Sequence, residues 1–192
     1  VPEAPSEKLE RLKNGLNALI PSVRWVAGVP YHLTLAFLGE VPDADLNQVC
    51  QTTAQVAAEF SPFELTLQGV GAFPNPSRPR VLWAGLAGVD ESPLFALQAA
   101  IAKAMTSLGF RPDDRFSPHV TLGRLRDDRR SPSQDITKIL QSRAEWSGGM
   151  FKVSEVITYG STLTPEGPTY APLARARLRG NSSHHLDHAE DR

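Results

Sequence analysis

Leu9, Leu12, Leu16, Leu19 and Ile20 recur at the three- and four-residue spacing of one helix face, with Pro5 and Ser6 as start signals and Pro21 as the stop. Short strands are predicted at 25–26 and at 31–38, the second alternating between two faces until Gly39 and Pro42 break it. A second helix follows, capped by Asp43 or Asp45, with Leu46, Val49, Cys50, Thr53, Val56, Ala57 and Phe60 on its apolar side. It ends near Ser61 and Pro62. Strands at 63–70 and 81–87, read as an antiparallel pair, flank a loop over 73–79 that is too proline-rich to be regular. Pro93 opens a third helix with Leu94, Leu97, Ile101, Met105 and Leu108 on one face, and Gly109 ends it. A strand over 119–125, a short helix over 132–142, a strand over 151–159 and a last strand over 172–178 complete the pattern. Residues 181–192 are polar and read as a disordered tail.

Strands and helices alternate through two similar halves, which points to an internal repeat. With 41% hydrophobic and 21% charged residues, a chain of 192 residues buries one sizeable core, or two small lobes sharing one. One domain over residues 1–180 is therefore expected. Twenty Lys and Arg against 21 Asp and Glu leave a net charge of −1, so no global field draws in long polyanions and any nucleic-acid contact must be local. Cys50 is the only cysteine, which excludes an intrachain disulfide and a thiolate zinc cluster and points to a reducing compartment, the cytoplasm. No apolar run approaches the roughly 20 residues of a membrane span, and the first residues are not signal-like. A soluble monomer without membrane contact is the expectation.

His32-Leu33-Thr34-Leu35 in the first half and His119-Val120-Thr121-Leu122 in the second share the pattern His-aliphatic-Thr-Leu. One such tetrapeptide arises by chance in roughly a few per cent of chains this size, and two far less often. On a strand, alternate side chains share a face, so His32 projects with Thr34 and His119 with Thr121. Halves packed about a pseudo-two-fold axis would bring two imidazoles and two hydroxyls to one centre. In-line displacement at phosphorus needs such a set: a base for the entering water on one side and an acid for the leaving oxygen on the other. Imidazole, with an unperturbed pKa of about 6.5, suits both tasks near neutrality. The threonine hydroxyls can donate to non-bridging oxygens where transition-state charge builds up.

These motifs, with LTLAFLGEV at 33–41, GVGAFPNPSRPRVLWAGL at 69–86, FSPHVTLGR at 116–124 and STLTPEGPTYAPL at 161–173, resemble the two-histidine phosphoesterases. The resemblance is closest to their RNA 2′,3′-cyclic phosphodiesterases, historically called 2′-5′ RNA ligases, and covers nearly everything before the tail. It implies an α/β (α+β) fold, bilobal and pseudo-two-fold, with antiparallel sheets lining a central cleft and helices outside. It also implies hydrolysis of a 2′,3′-cyclic phosphate, on RNA ends or nucleotides, to a 2′-phosphate, with no cofactor and no required metal. By resemblance His119 is the general base and His32 the general acid, Arg124 binds phosphate, and Phe116 packs near the nucleobase. Two positions depart from the family pattern. Ala36 stands where many relatives carry arginine, and Val1-Pro2 matches the end of a strand with which the family usually begins, so a central strand is expected to be missing.

Each of these residues also has a plainer reading. A lone strand histidine is usually structural, and the repeated context is what favours catalysis for His32 and His119. Arg124 alone could be a solvated edge charge. Arg78, Arg80, Arg126, Arg129 and Arg130 read singly as surface charge, and together as a track for an RNA strand. Phe116 and Phe73 are candidates for stacking on a base, against the commoner fate of core packing, and Trp83 reads as core. His184, His185 and His188 lie in the polar tail and are not read as a metal site. Three other functions compete: 2′-5′ ligation by the same acid and base in reverse, a non-catalytic module that binds RNA ends, and a metallohydrolase, for which two histidines lack a third ligand.

Overall fold

The computed structural model describes residues 1–26, 30–90, 92–113, 115–125, 135–164 and 167–180. In chain order the elements are α1 (Glu3–Asn17), β1 (Val23–Trp25), α2 (Asp43–Ala58), β2 (Phe63–Phe73), β3 (Val81–Ala87), α3 (Leu94–Ser107), β4 (Val120–Leu125), α4 (Thr137–Gln141), β5 (Ser147–Val153), β6 (Glu155–Thr164) and β7 (Gly167–Arg177). Five strands form an antiparallel sheet in the order β1-β4-β3-β2-β5, and β6 and β7 form a separate antiparallel pair.

The helices lie where the apolar spacing places them. α1 buries Leu9, Leu12 and Leu16 against one face of the five-stranded sheet, where Leu82, Val120 and Leu122 meet them together with Leu140 of α4. α2 and α3 bury Val49, Ala57, Leu94, Leu97 and Ile101 in a second cluster that includes Ala176 of β7. β2 crosses between the two, giving Phe63 and Leu65 to the second cluster and Leu67 and Ala72 to the first. The expected two lobes are thus two cores on a shared strand. Each fully buried leucine, such as Leu9, Leu16 or Leu122, contributes roughly 2 kcal/mol.

Several expectations are corrected. Leu19 falls beyond the end of α1 and is 44% exposed, so it leaves the apolar stripe. The strand expected at 151–159 is two strands, because Ser154 separates β5, which joins the large sheet, from β6, which turns to pair with β7. The short helix expected at 132–142 is α4 over a narrower span, with 132–134 outside the described residues. The tail at 181–192, with His184, His185 and His188, and the arginines at 126, 129 and 130 also lie outside them.

The largest correction concerns 31–38, which makes a single antiparallel bridge, Leu33 to Val120, instead of a strand. A strand needs a ladder, and β1 already occupies that edge of β4 as far as Val26, whose N–H donates to the Leu122 carbonyl. Other contacts hold the segment. Gln98 of α3 donates to the Leu35 carbonyl at 3.3 Å, and Leu33, Leu35, Ala36 and Leu38 pack on the second core. Buried Tyr31 donates its hydroxyl proton to Glu10 Oε1 of α1 at 2.7 Å, and Lys13 completes the group with a 2.5 Å ion pair to Glu10.

That last group makes stability depend on pH at both extremes. The hydrogen bond from Lys13, then that from Tyr31, lowers the Glu10 pKa below its ordinary 4.5, so its contribution is present above that value and lost as pH falls through the lowered one. Burial, and then the Glu10 carboxylate, raises the Tyr31 pKa above its ordinary 10.0, so its contribution is present below pH 10.0 and lost as pH rises beyond it. Tyr31→Phe is expected to cost about 1 kcal/mol at neutral pH and to flatten the alkaline limb, as read by denaturant midpoints across pH.

Candidate active site

The bridge between Leu33 and Val120 lays the two repeated tetrapeptides side by side and antiparallel. Positions flanking such a bridge fall opposite one another, so His32 lies across from Thr121 and Thr34 across from His119. Each imidazole is thereby matched with the hydroxyl of the other motif. The site joins the two lobes at their backbone contact, with the motifs as neighbours rather than as strands opposed across a cleft.

Both rings are held in the same way. His32 Nδ1 lies 3.0 Å from the Pro30 carbonyl and His119 Nδ1 lies 2.7 Å from the Ser117 carbonyl, in each case two residues upstream. A carbonyl oxygen only accepts, so each Nδ1 carries the proton and each neutral ring presents a lone pair at Nε2. One tautomer therefore serves both roles: Nε2 takes a proton as a base and, once protonated, gives one as an acid.

Each ring also meets an aromatic pair. On the first lobe, His119 meets the Phe73 ring edge-on at 5.0 Å and the Trp83 ring at 6.5 Å, while Phe73 and Trp83 are 5.2 Å apart. On the second, His32 lies 5.9 Å from Tyr159 and 5.7 Å from Tyr170, which meet edge-on at 6.2 Å. Trp83 is thus a half-buried wall of the site and not the core residue expected. Its Nε1–H is buried with no hydrogen-bond partner among the described residues, so ring packing holds the indole in place.

Breaks in strand register assemble this face. Alternation along β2 would send Phe73 to the same side as Leu65 and Leu67, but Gly69, at φ 73°, sits in a register shift that reverses the parity. Ala72 then enters the core, and Gly71 and Phe73 turn to the other face beside Trp83. Gly71 is needed there, since a Cβ on it would stand 2.1 Å from Trp83 Cζ2. β4 has a comparable irregularity: Trp83 pairs with Thr121 and Val81 with Arg124. His119, Thr121 and Arg124 consequently share one face, although five residues separate the first from the last and a regular strand would oppose them. In β6–β7 a shift after Thr158 brings Tyr159 and Tyr170 to one side.

Of the residues expected from sequence, the structure brings together His32, Thr34, His119 and Thr121, with Arg124 on the same face and Phe73 against His119. Phe116 packs edge-on against Phe95 of α3 at 5.5 Å, in the second core, and makes no ring contact with either histidine among the described residues. Sequence reasoning missed Tyr159 and Tyr170 as site residues. Tyr170 lies in one of the segments that carry the family resemblance, and that was its one available signal. Among the described residues no group of three or more His, Cys, Asp or Glu side chains is placed to hold a metal ion.

A family model described as LigT like phosphoesterase matches residues 1–83 and 88–170, a span containing both histidines, both threonines, Arg124 and the four flanking aromatics. The chain belongs to the LigT-like phosphoesterase family. One relative, from Archaeoglobus fulgidus and named RNA 2′,3′-cyclic phosphodiesterase, is 34% identical over 173 residues, covering 90% of this chain and 93% of its own. A crystal structure from Thermus thermophilus superposes with a TM-score of 0.76 at 26% identity, covering 94% of each chain. That of E. coli LigT complexed with 3′-AMP gives 0.66 at 26% identity, covering 92% of this chain and 94% of the other. The LigT-like family thus supplies the expected bilobal fold, mixed helix and antiparallel sheet.

Nitrogen NMR of the neutral imidazoles is expected to report the Nδ1–H tautomer at both His32 and His119; an Nε2–H form at either would contradict the hydrogen bonding described. Gly71→Ala is expected to push Trp83 aside, shifting the ring resonances of His119 far more than those of His32.

Proposed function

We propose that this protein hydrolyses the 2′,3′-cyclic phosphate of RNA ends or nucleotides to a 2′-phosphomonoester by two-histidine acid and base catalysis without a metal. The observation that carries the proposal is the matched pair of imidazoles, each with Nδ1–H committed to a backbone carbonyl and each beside the threonine of the other motif. The relatives' name and the 3′-AMP complex of E. coli LigT support this substrate class.

In this reading His119 Nε2 removes a proton from water as its oxygen attacks phosphorus, and the bond from phosphorus to the 3′ oxygen breaks on the opposite side. His32, protonated at Nε2, donates that proton to the departing 3′ oxygen. Thr34 and Thr121 donate to the non-bridging oxygens, and the Arg124 guanidinium offsets their charge where it increases in the transition state. The 2′ oxygen keeps the phosphoryl group, so the product is the 2′-phosphate. Proton transfer at each end accounts for about 10²- to 10⁴-fold in rate.

Turnover of a nucleoside 2′,3′-cyclic phosphate in excess chelator, with 2′- and 3′-phosphates resolved by chromatography, is the deciding assay. The expected outcome is 2′-phosphate from the wild type, a loss of about 10²- to 10⁴-fold in His119→Ala, and a bell-shaped pH profile whose limbs belong to the pair. An unchanged profile in His32→Ala would remove the acid assignment, and loss of activity on chelation would remove metal independence. Binding without turnover by the wild type would favour an RNA-end binding module.

A further inference from the structure

We infer that Arg24, with Arg124, forms a two-arginine anion seat that takes the phosphodiester on the 5′ side of the terminal ribose and so sets a preference for RNA ends over mononucleotides. This inference rests on the function proposed above. In β1, Val23 is buried against α1 and Trp25 donates its indole proton to Asn17 Oδ1 of α1 at 2.7 Å. Arg24, between them, therefore projects to the other face. Its partner in register on β4 is Arg124, which shares that face with Thr121 and His119. Both arginines are exposed, and neither makes an ion pair or side-chain hydrogen bond among the described residues.

Two guanidiniums directly opposite each other on neighbouring strands repel, and this arrangement is unfavourable unless an anion lies between or beside them. The reacting phosphate does not account for both. A cyclic phosphodiester has two non-bridging oxygens with about four lone-pair positions, and Thr34, Thr121 and a bidentate Arg124 already fill them. Arg24 sits one strand further out, at the end of β4 away from His119. A strand advances about 3.4 Å per residue, so from Thr121 to this arginine pair is at most about 10 Å. The next anion along a single-stranded RNA that enters from this end is its adjacent phosphodiester.

The test compares binding of a dinucleotide and a nucleoside, each ending in a 2′-phosphate, to the wild type, Arg24→Gln and Arg24→Lys, with titrations repeated across salt concentrations. The wild type is expected to prefer the dinucleotide by roughly ten- to a hundredfold. In Arg24→Gln that preference should collapse and the slope of log affinity against log salt should fall by about 0.7, while Arg24→Lys keeps the slope. Removing one of two opposed like charges should leave the melting temperature no lower, which separates loss of the seat from loss of folding. Retention of both preference and slope in Arg24→Gln would overturn the seat even if the wild type hydrolyses the cyclic phosphate. An arginine-dependent preference in a protein that hydrolyses nothing would uphold the seat and overturn the proposed activity.

Discussion

The Leu33 to Val120 bridge is the contact on which the site depends. It is a small interaction in free energy, since one backbone pairing contributes about 1 kcal/mol net. Its consequence is geometric. By laying two His-x-Thr-Leu segments antiparallel, it makes each threonine the neighbour of the other segment's histidine, and it does so where the two cores meet. Buried Val120 holds one side and the partly buried Leu33, Leu35 and Leu38 hold the other, so hydrophobic packing in both lobes maintains a contact too weak to persist alone.

Around that contact the protein uses one device twice. A backbone carbonyl two residues before each histidine takes the Nδ1 proton, and an aromatic pair from the sheet of the same lobe stands against the ring. A carbonyl is neutral, so it orients the imidazole without forcing it towards the charged form, as a carboxylate would. The pairs differ in kind: hydrocarbon and indole beside His119, two phenols beside His32. The two halves therefore offer unlike surroundings to chemically like groups, which a division between base and acid requires.

Irregular positions carry much of the site. Gly69 in β2, the register shift in β4 and the shift in β6–β7 each turn a side chain from the face that alternation assigns it to the face where it works. Bulges of this kind re-aim side chains at small cost where one extra residue can be accommodated. Gly71 follows from the same geometry, because the Trp83 ring occupies the space its Cβ would need.

The sequence by itself determined the helices, the paired motifs and the class of chemistry. Apolar spacing is a local property, so α1, α2 and α3 lie where Leu9, Val49 and Leu97 and their neighbours imply. A repeated His-x-Thr-Leu is likewise visible without coordinates. Only the tertiary structure decided that 31–38 makes one bridge and no strand, that Trp83 walls the site while Phe116 packs on Phe95, that Tyr159 and Tyr170 meet His32, and that Arg24 stands opposite Arg124. The physical reason is register. Which residues oppose one another depends on pairings between segments distant in the chain and on single inserted residues that reverse parity, and neither leaves a periodic signature in the sequence.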